Sequence, residues 1–187
     1  MIITISGRPG SGKSAVATRV AEALGLRHVS AGDFMREMAE ERGMSILELS
    51  RSAEERAEID REIDARTVRL GEESDEFVMD ARLGWHFLPQ SVKVFLEVRP
   101  RVAAERVYLA NRDSERENID IEATQRAIES RTASEVGRYR DYYGIDYGDH
   151  AHYDLVVDTS EMAIAQVVQE IVDHVRQVES GKTGTVR

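Results

Sequence analysis

Apolar residues follow two spacings along the chain, and the two spacings alternate. Short runs that are apolar or rich in β-branched residues predict five strands, at positions 2–5, 27–29, 76–79, 92–98 and 153–157. The fourth run is apolar almost throughout, which is typical of a central strand in a parallel sheet. Between the runs, apolar residues recur at helical spacing, as Val16, Val20 and Leu24 do. This alternation predicts an α/β fold, with a five-stranded parallel sheet and helices on both faces.

The helical spacing covers most of the remaining chain. Predicted helices lie at 13–24, 33–42, 45–55, 58–70, 101–143 and 162–178, and the fifth is interrupted by a charged stretch near 111–120. Ser30 is placed to cap the second helix, because a serine hydroxyl accepts hydrogen bonds from the first backbone N–H groups of a helix. In parallel sheets, ligands bind beyond the carboxyl ends of the strands. Residues that follow strands are therefore the candidates for a functional site.

One such segment follows the first predicted strand directly. Positions 7–14 read GRPGSGKS and match the pattern G-x-x-x-x-G-K-S/T in full. Glycines let backbone N–H groups approach a phosphate closely, and the following helix offers its N-terminal amides to the same anion. The lysine would neutralise the β- and γ-phosphates, and the serine hydroxyl would bind Mg²⁺. We therefore predict a nucleotide site that includes Gly7, Gly10, Ser11, Gly12, Lys13, Ser14 and Ala15.

The composition limits the kinds of partner. The chain has 187 residues, enough for one domain, and its net charge of −10 disfavours sequence-independent binding of nucleic acid. It has no cysteine, which excludes disulfides and thiolate metal sites. No apolar run approaches the roughly 20 residues that span a bilayer, and the first residues lack the pattern of a signal peptide. We expect a cytoplasmic protein with no membrane partner.

Basic residues are concentrated where phosphates would be bound. The sequence SAGDFMR at 30–36 follows the second predicted strand, and DAR at 80–82 follows the third. Further along lie Arg106, Arg112, Arg116, Arg126, Arg131 and Arg138. Arg131, Glu135 and Arg138 share one helical face, because they are four and three residues apart. Two facing phosphate chains carry several negative charges, which arginine neutralises with a planar fork of donors.

Together, these segments resemble the nucleoside monophosphate kinases, and most closely the short, archaeal-type cytidylate kinases. The resemblance covers roughly residues 1–178. It rests on the phosphate loop, on SAGD at 30–33 followed by Arg36, on EIDREID at 58–64, on Arg131, Arg138 and YGID at 143–146, and on VDTS at 157–160. It implies a P-loop NTPase fold with two helical inserts, of which one binds the monophosphate and one forms a lid.

For the acceptor, the resemblance implies a set of polar and charged contacts. Arg36 and Arg82 would grip the α-phosphate of the monophosphate. Asp33 would help to position its sugar or base, and Glu135 would steer its sugar hydroxyls. The implied substrate-binding set is Ser30, Gly32, Asp33, Arg36, Arg82 and Glu135.

For the donor and for catalysis, the resemblance implies a second set. Asp80 would hold Mg²⁺ through water, beside the metal-binding hydroxyl of Ser14. Arg131 and Arg138 would stabilise charge on the transferred phosphoryl group, so that the catalytic set is Lys13, Asp80, Arg131 and Arg138. Thr159, at the end of the last strand, would lie where the chain passes the adenine of ATP.

The resemblance also implies one kinase domain over 1–187, acting as a monomer with ATP and Mg²⁺ on CMP or dCMP. Its core would comprise 1–32, 74–110 and 140–178. The monophosphate-binding insert would cover about 33–73, the lid about 111–130, and the tail 179–187.

One departure from the family pattern leaves the identity of the acceptor undecided. The third strand of the family commonly ends in Glu-Gly-Arg, a small residue and Gly-Trp, whereas positions 80–85 read DARLGW. The alternatives are therefore a kinase for AMP, UMP or a shikimate-like acceptor, and a P-loop ATPase or nucleotide-sensing module with a macromolecular partner. A protein of the second kind would be expected to have a basic patch or a residue that positions water, and to lack paired arginines for an acceptor.

Overall fold

The computed structural model describes residues 1–110 and 120–183 and contains one five-stranded sheet. All neighbouring strands are parallel and the order is β2-β3-β1-β4-β5. The strands are β1 (Ile2–Gly7), β2 (Arg27–Ser30), β3 (Phe77–Asp80), β4 (Val92–Glu97) and β5 (Leu155–Asp158). The predicted sheet is confirmed. Because β1 is central and pairs with both β3 and β4, the ends of these three strands lie side by side.

Eight α-helices lie within the described ranges, seven of them between strands and the eighth after β5. They are α1 (Lys13–Leu24), α2 (Ala31–Glu41), α3 (Ile46–Glu55), α4 (Ala57–Glu73), α5 (Gly84–Phe87), α6 (Pro100–Ala110), α7 (Ile121–Tyr143) and α8 (Ile164–Thr183). A 3₁₀ turn covers His150–His152. The sequence did not predict α5 or this turn, because segments of three or four residues are too short to show a helical period. Helix α8 continues five residues past the predicted end at 178.

Helices pack on both faces of the sheet, as predicted. On one face, α1 and α8 bury side chains against Ile3, Ile5 and Val94. On the other face, Phe77 and Met79 pack with residues of α2 and α4. Aromatic residues of β4, α5, α7 and the loop after α7 form a further cluster there, which includes Phe95, Trp85, Tyr139 and Tyr147. This two-sided burial accounts for the apolar character of the central strands.

Helices α2, α3 and α4 lie between β2 and β3 in the chain and share an apolar cluster of their own, around Met38, Leu49 and Ile59. Ser30 caps α2, as predicted, but the helix begins at Ala31 rather than at 33. These three helices occupy the predicted monophosphate-binding insert, and its boundaries stay a prediction. For the predicted lid, 111–119 lie outside the described residues, with Arg112 and Arg116 among them, while 121–130 are the first turns of α7.

Within the described part of the chain, no helix is both long enough and apolar enough to cross a membrane.

Candidate active site

The glycine-rich loop at 7–14 joins the central strand β1 to the first turn of α1. Gly10 and Gly12 adopt left-handed backbone conformations, with φ angles of 78° and 83°. A Cβ atom on Gly10 would lie 2.8 Å from the Cα of Ala103 in α6, so any side chain there would collide with backbone. The loop is therefore a tight turn that requires glycine and leaves its amides at the N-terminus of α1.

Lys13, at the start of α1, forms an ion pair with Asp80 at the end of β3. The side chain of Asp80 is 2% exposed and that of Lys13 is 17% exposed. Burial lowers the pKa of Lys13 to about 7, and the positive charges of Arg82 and Arg131 act in the same direction. The next residues, Ser14 and Ala15, are exposed beside this pair. The predicted catalytic lysine and the predicted metal-binding carboxylate thus meet, one in the loop that follows β1 and the other at the end of the neighbouring strand β3.

Glu135 of α7 bridges two predicted phosphate-binding arginines. Its Oε2 atom lies 2.6 Å from Nε of Arg82, which follows β3. Its Oε1 atom lies 3.1 Å from Nε of Arg131, one turn earlier in α7. Glu135 is buried, Arg82 is 20% exposed and Arg131 is 68% exposed. The hydroxyl of Ser6, the residue before the phosphate loop, donates a hydrogen bond to the backbone oxygen of Arg82 at 2.9 Å. This contact places the cluster next to the loop.

Arg138, predicted to act on the transferred phosphoryl group, has its partners in the insert. Its Nη1 atom donates to the backbone oxygen of Ala53, 3.0 Å away, and lies 3.2 Å from Oδ2 of Asp60. Burial raises the pKa of Asp60, the charge of Arg138 lowers it, and Glu135 raises it. Arg138 therefore lies between the insert and the Glu135 cluster in this structure.

A second contact joins α7 to the insert. The hydroxyl of Tyr143, the last residue of α7, donates a hydrogen bond to Oδ2 of Asp64 in α4. Burial raises the pKa of Asp64 to about 6; the hydrogen bond from Tyr143 opposes this change, and the charge of Asp60 adds to it. Sequence reasoning missed both contacts with the insert. Their one signal was the placement of Asp60 and Asp64 four residues apart, on one helical face.

The predicted acceptor residues after β2 form the cap of α2. The Ser30 hydroxyl accepts from the backbone N–H of Asp33 at 3.0 Å, and the Asp33 carboxylate accepts from the backbone N–H of Ser30 at 3.1 Å. Arg36 pairs with the same carboxylate and lies near Gly32. The hydrogen bond from Ser30 is the main cause of the lowered pKa of Asp33. The side chain of Arg36 remains 58% exposed.

Thr159, after β5, is bound to the phosphate loop. Its Oγ1 atom lies 3.1 Å from the backbone oxygen of Ser11. Arg106 of α6 donates to the backbone oxygen of Thr159 at 2.6 Å and to its hydroxyl at 3.1 Å. The same guanidinium lies 3.4 Å from the backbone oxygen of Gly10. Sequence reasoning listed Arg106 in the cluster of six arginines but gave it no role, since spacing does not reveal a partner 53 residues away.

The structure therefore brings together most of the predicted site at one edge of the sheet. One charged cluster contains Lys13, Asp80, Arg82, Glu135 and Arg131. Thr159 contacts the phosphate loop through the backbone oxygen of Ser11. Arg36 and Asp33 lie apart from the cluster, paired with each other. Arg126, in the second turn of α7, is exposed.

A tight glycine loop on the central strand, a buried lysine beside it and arginines converging on both define the site of a P-loop kinase. Solved structures of such kinases share the fold. A shikimate kinase from Aquifex aeolicus superposes with a TM-score of 0.57 and 19% identity, covering 97% of this chain and 99% of the other. A gluconokinase from Sinorhizobium meliloti gives a TM-score of 0.60 and 16% identity, covering 98% and 97%.

Sequence relatives narrow this class to one family. The model of the cytidylate kinase-like family matches residues 2–161. A cytidylate kinase from Methanothermobacter thermautotrophicus is 44% identical over 160 residues, which are 86% of this chain and 96% of that protein. A cytidylate kinase from Methanocaldococcus jannaschii is 40% identical over 181 residues, which are 95% and 100% of the two chains. The chain belongs to the cytidylate kinase-like family, and the predicted family is confirmed.

Proposed function

We propose that this protein transfers the γ-phosphoryl group of ATP to CMP or dCMP, releasing ADP and the nucleoside diphosphate. One observation carries the proposal. Lys13 in the phosphate loop and the guanidinium of Arg82 lie in one charged cluster, on neighbouring strand ends. This arrangement supports the binding of two phosphate groups face to face, which a hydrolase acting on water does not require. The cytidylate kinases among the relatives support the choice of CMP as acceptor.

On the donor side, the loop amides and Lys13 would hold the β- and γ-phosphates of ATP. Because Gly10 and Gly12 have no side chains, a phosphate group can approach the backbone N–H groups of the loop closely. The residues present also fit Mg²⁺. Mg²⁺ prefers oxygen ligands and keeps several waters, so one hydroxyl and one carboxylate beside phosphate oxygens suit it. Ser14 and Asp80 would hold this ion, which neutralises phosphate charge when it is bound.

In this structure the loop lysine is paired with the proposed metal-binding carboxylate. Binding of a triphosphate with its metal would give Lys13 phosphate oxygens as partners and release Asp80 toward the cation. One buried ion pair, Lys13 with Asp80, would then be replaced by two, Lys13 with phosphate and Asp80 with the cation. Neither side chain would be left as an unpaired charge in the site. This is how the chain's own residues would prepare the donor site.

On the acceptor side, Arg36 would meet the monophosphate at the mouth of the site, and Arg82 would hold the same phosphate deeper inside. Ser30, Gly32 and Asp33 would form the wall beside the nucleoside. The acceptor phosphate is already an anion, so no side chain is needed as a general base. Catalysis would consist of in-line placement and neutralisation of charge by Lys13 and Arg131.

Arg138 would join this set by changing partners. It is now bound to Ala53 and Asp60 of the insert, so its proposed action on the phosphoryl group requires that substrate charge replaces Asp60. The insert and the lid would close over the substrates and exclude water during the transfer. The expectations of a monomer, a cytoplasmic location and no nucleic-acid partner stay predictions.

A coupled assay for ADP release tests the proposal. The purified protein is given Mg²⁺, ATP and one acceptor from the set CMP, dCMP, UMP, AMP and shikimate. We expect CMP or dCMP to be turned over fastest, and Lys13→Met to abolish the turnover. If both cytidine acceptors react no faster than the others, the proposed preference is wrong. Steady ATP hydrolysis that no monophosphate changes would instead favour the ATPase alternative.

A further inference from the structure

We propose that Glu97 is a positioning residue of the donor site, which holds the phosphate loop in place through Arg8. The inference rests on the proposed function, since it concerns the loop that would bind the phosphates of ATP, and it adds a residue that sequence reasoning did not single out. Glu97 is the last residue of β4, and Arg8 is the second residue of the loop. Because β4 pairs with β1 as a parallel strand, the two residues lie at the same edge of the sheet.

The side chain of Glu97 makes contacts at both of its oxygens. Its Oε1 atom accepts a hydrogen bond from Nε of Arg8 at 2.6 Å and another from the backbone N–H of Val98 at 3.1 Å. Its Oε2 atom lies 3.2 Å from Nε2 of His150, in the 3₁₀ turn that follows α7. Because both oxygens are held, the carboxylate has a fixed orientation and presents a fixed, charge-assisted acceptor to the loop.

The backbone at the end of β4 contacts the loop as well. The backbone N–H of Arg8 donates to the backbone oxygen of Leu96 at 3.2 Å. The backbone oxygen of Glu97 accepts from the backbone N–H of Thr159 at 2.9 Å. The Oγ1 atom of Thr159 in turn lies 3.1 Å from the backbone oxygen of Ser11 in the loop. The end of β4 therefore reaches the loop at two points, directly at Arg8 and through Thr159 at Ser11.

The charge of Glu97 also indicates a role in holding the loop rather than in binding the nucleotide. A carboxylate repels phosphate, so an anion beside a phosphate-binding loop weakens nucleotide binding unless a cation neutralises it. Arg8 supplies this cation. The pair is partly exposed, with 25% of the Glu97 side chain and 40% of the Arg8 side chain accessible to solvent. Since the two charges cancel, the pair attracts no phosphate by itself, and its contribution is to hold the loop in its binding conformation.

Calorimetric binding of the magnesium complex of AMP-PNP, the β,γ-imido analogue of ATP, tests the inference without an acceptor. Glu97→Ala removes the contacts of the carboxylate with Arg8 and His150. We expect it to weaken binding about three- to tenfold, the size of one partly exposed charge-assisted contact. If the carboxylate acted on the nucleotide only through its charge, the same change would remove a repulsion and tighten binding. The sign of the effect therefore separates the two roles.

Two further variants control for charge and for loss of structure. Glu161→Ala removes a carboxylate that follows β5, is 80% exposed and pairs with Arg99, so binding should stay within about twofold of wild type. Glu97→Gln keeps an oxygen that can accept from Arg8, and it should weaken binding less than Glu97→Ala does. In steady-state kinetics, Glu97→Ala should raise the KM for ATP about three- to tenfold and leave the KM for CMP within about twofold of wild type. A general loss of structure would raise both.

A double-mutant cycle tests whether Arg8 and Glu97 act as a pair. Arg8→Met should weaken the binding of AMP-PNP about three- to tenfold in the wild-type background and by less than about twofold in the Glu97→Ala background. If Glu97→Ala does not fold, an exchange of the two residues replaces it. Arg8→Glu alone should weaken binding about tenfold or more, because two carboxylates then face each other beside the loop. Adding Glu97→Arg should restore binding to within about threefold of wild type.

Three results would overturn the inference. Tighter or unchanged binding in Glu97→Ala would show that the carboxylate does not hold the loop. Equal losses from Arg8→Met in both backgrounds would make Arg8 a phosphate ligand on its own, and so would an exchanged pair that binds as weakly as Arg8→Glu alone. Failure of the proposed function looks different, because the binding measurements need no acceptor. Wild type would then bind AMP-PNP, with the losses described above, but would phosphorylate neither CMP nor dCMP.

Discussion

The burial of Asp64 between the insert and α7 predicts a pH-dependent contribution to stability. Asp64 ionises in the unfolded chain near pH 3.8, whereas burial in the folded protein raises its pKa to about 6. A carboxyl group with a raised pKa stabilises the fold in its neutral form. Its contribution is therefore fully present below pH 4 and is lost as the pH rises through 6. Charging Asp64 also places a second anion near Asp60.

The magnitude follows from the difference between the two pKa values. That difference is 6 − 3.8 = 2.2, and each unit corresponds to about 1.4 kcal/mol. The free energy of unfolding should therefore fall by up to about 3 kcal/mol between pH 4 and pH 7 through this one group. Asp64→Asn carries a neutral side chain at every pH and can still accept from the Tyr143 hydroxyl. It should not show this loss.

The assay compares urea unfolding of wild type and Asp64→Asn at pH 4, 5, 6 and 7. Fluorescence of Trp85, the one tryptophan of the chain, reports the transition, since this side chain is buried. We expect the stability of the variant relative to wild type to rise by about 1–3 kcal/mol from pH 4 to pH 7. Asp141→Asn, at an exposed position near the end of α7, controls for the removal of one surface charge. A difference between Asp64→Asn and wild type that stays constant within about 0.5 kcal/mol would refute the reasoning.

Two substitutions should separate the donor and acceptor sides. Arg36→Ala should raise the KM for CMP about tenfold or more, because the acceptor phosphate would lose a charge-assisted contact. An unchanged KM would mean that Arg36 does not bind the acceptor. Arg106→Ala should raise the KM for ATP about tenfold, because Arg106 holds Thr159 and the phosphate loop together. Arg101→Ala is the control, because Arg101 lies in the same helix and pairs with the exposed residues Glu105 and Glu122. If both substitutions raise the KM for ATP equally, Arg106 does not have this role.

Local patterns predicted the phosphate loop without help from the fold. A strand, a glycine-rich turn and a helix are adjacent in the chain, and the positive φ angles of Gly10 and Gly12 are a property of the local backbone. The alternation of apolar runs with helical segments also predicted the parallel sheet, because such an order has few alternative topologies. The cap of α2 by Ser30 could be predicted for the same reason, since donor and acceptor are three residues apart.

Side-chain partners across the fold were beyond such patterns. The spacing of Arg131, Glu135 and Arg138 predicted one shared helical face, but it gave no indication that Glu135 would meet Arg82 or that Arg138 would meet Asp60. The same holds for Tyr143 and Asp64, which are 79 residues apart. These pairs form because the insert and α7 pack near the end of β3. The period of a helix determines which residues face the same way, whereas only the tertiary structure determines which charges they meet there.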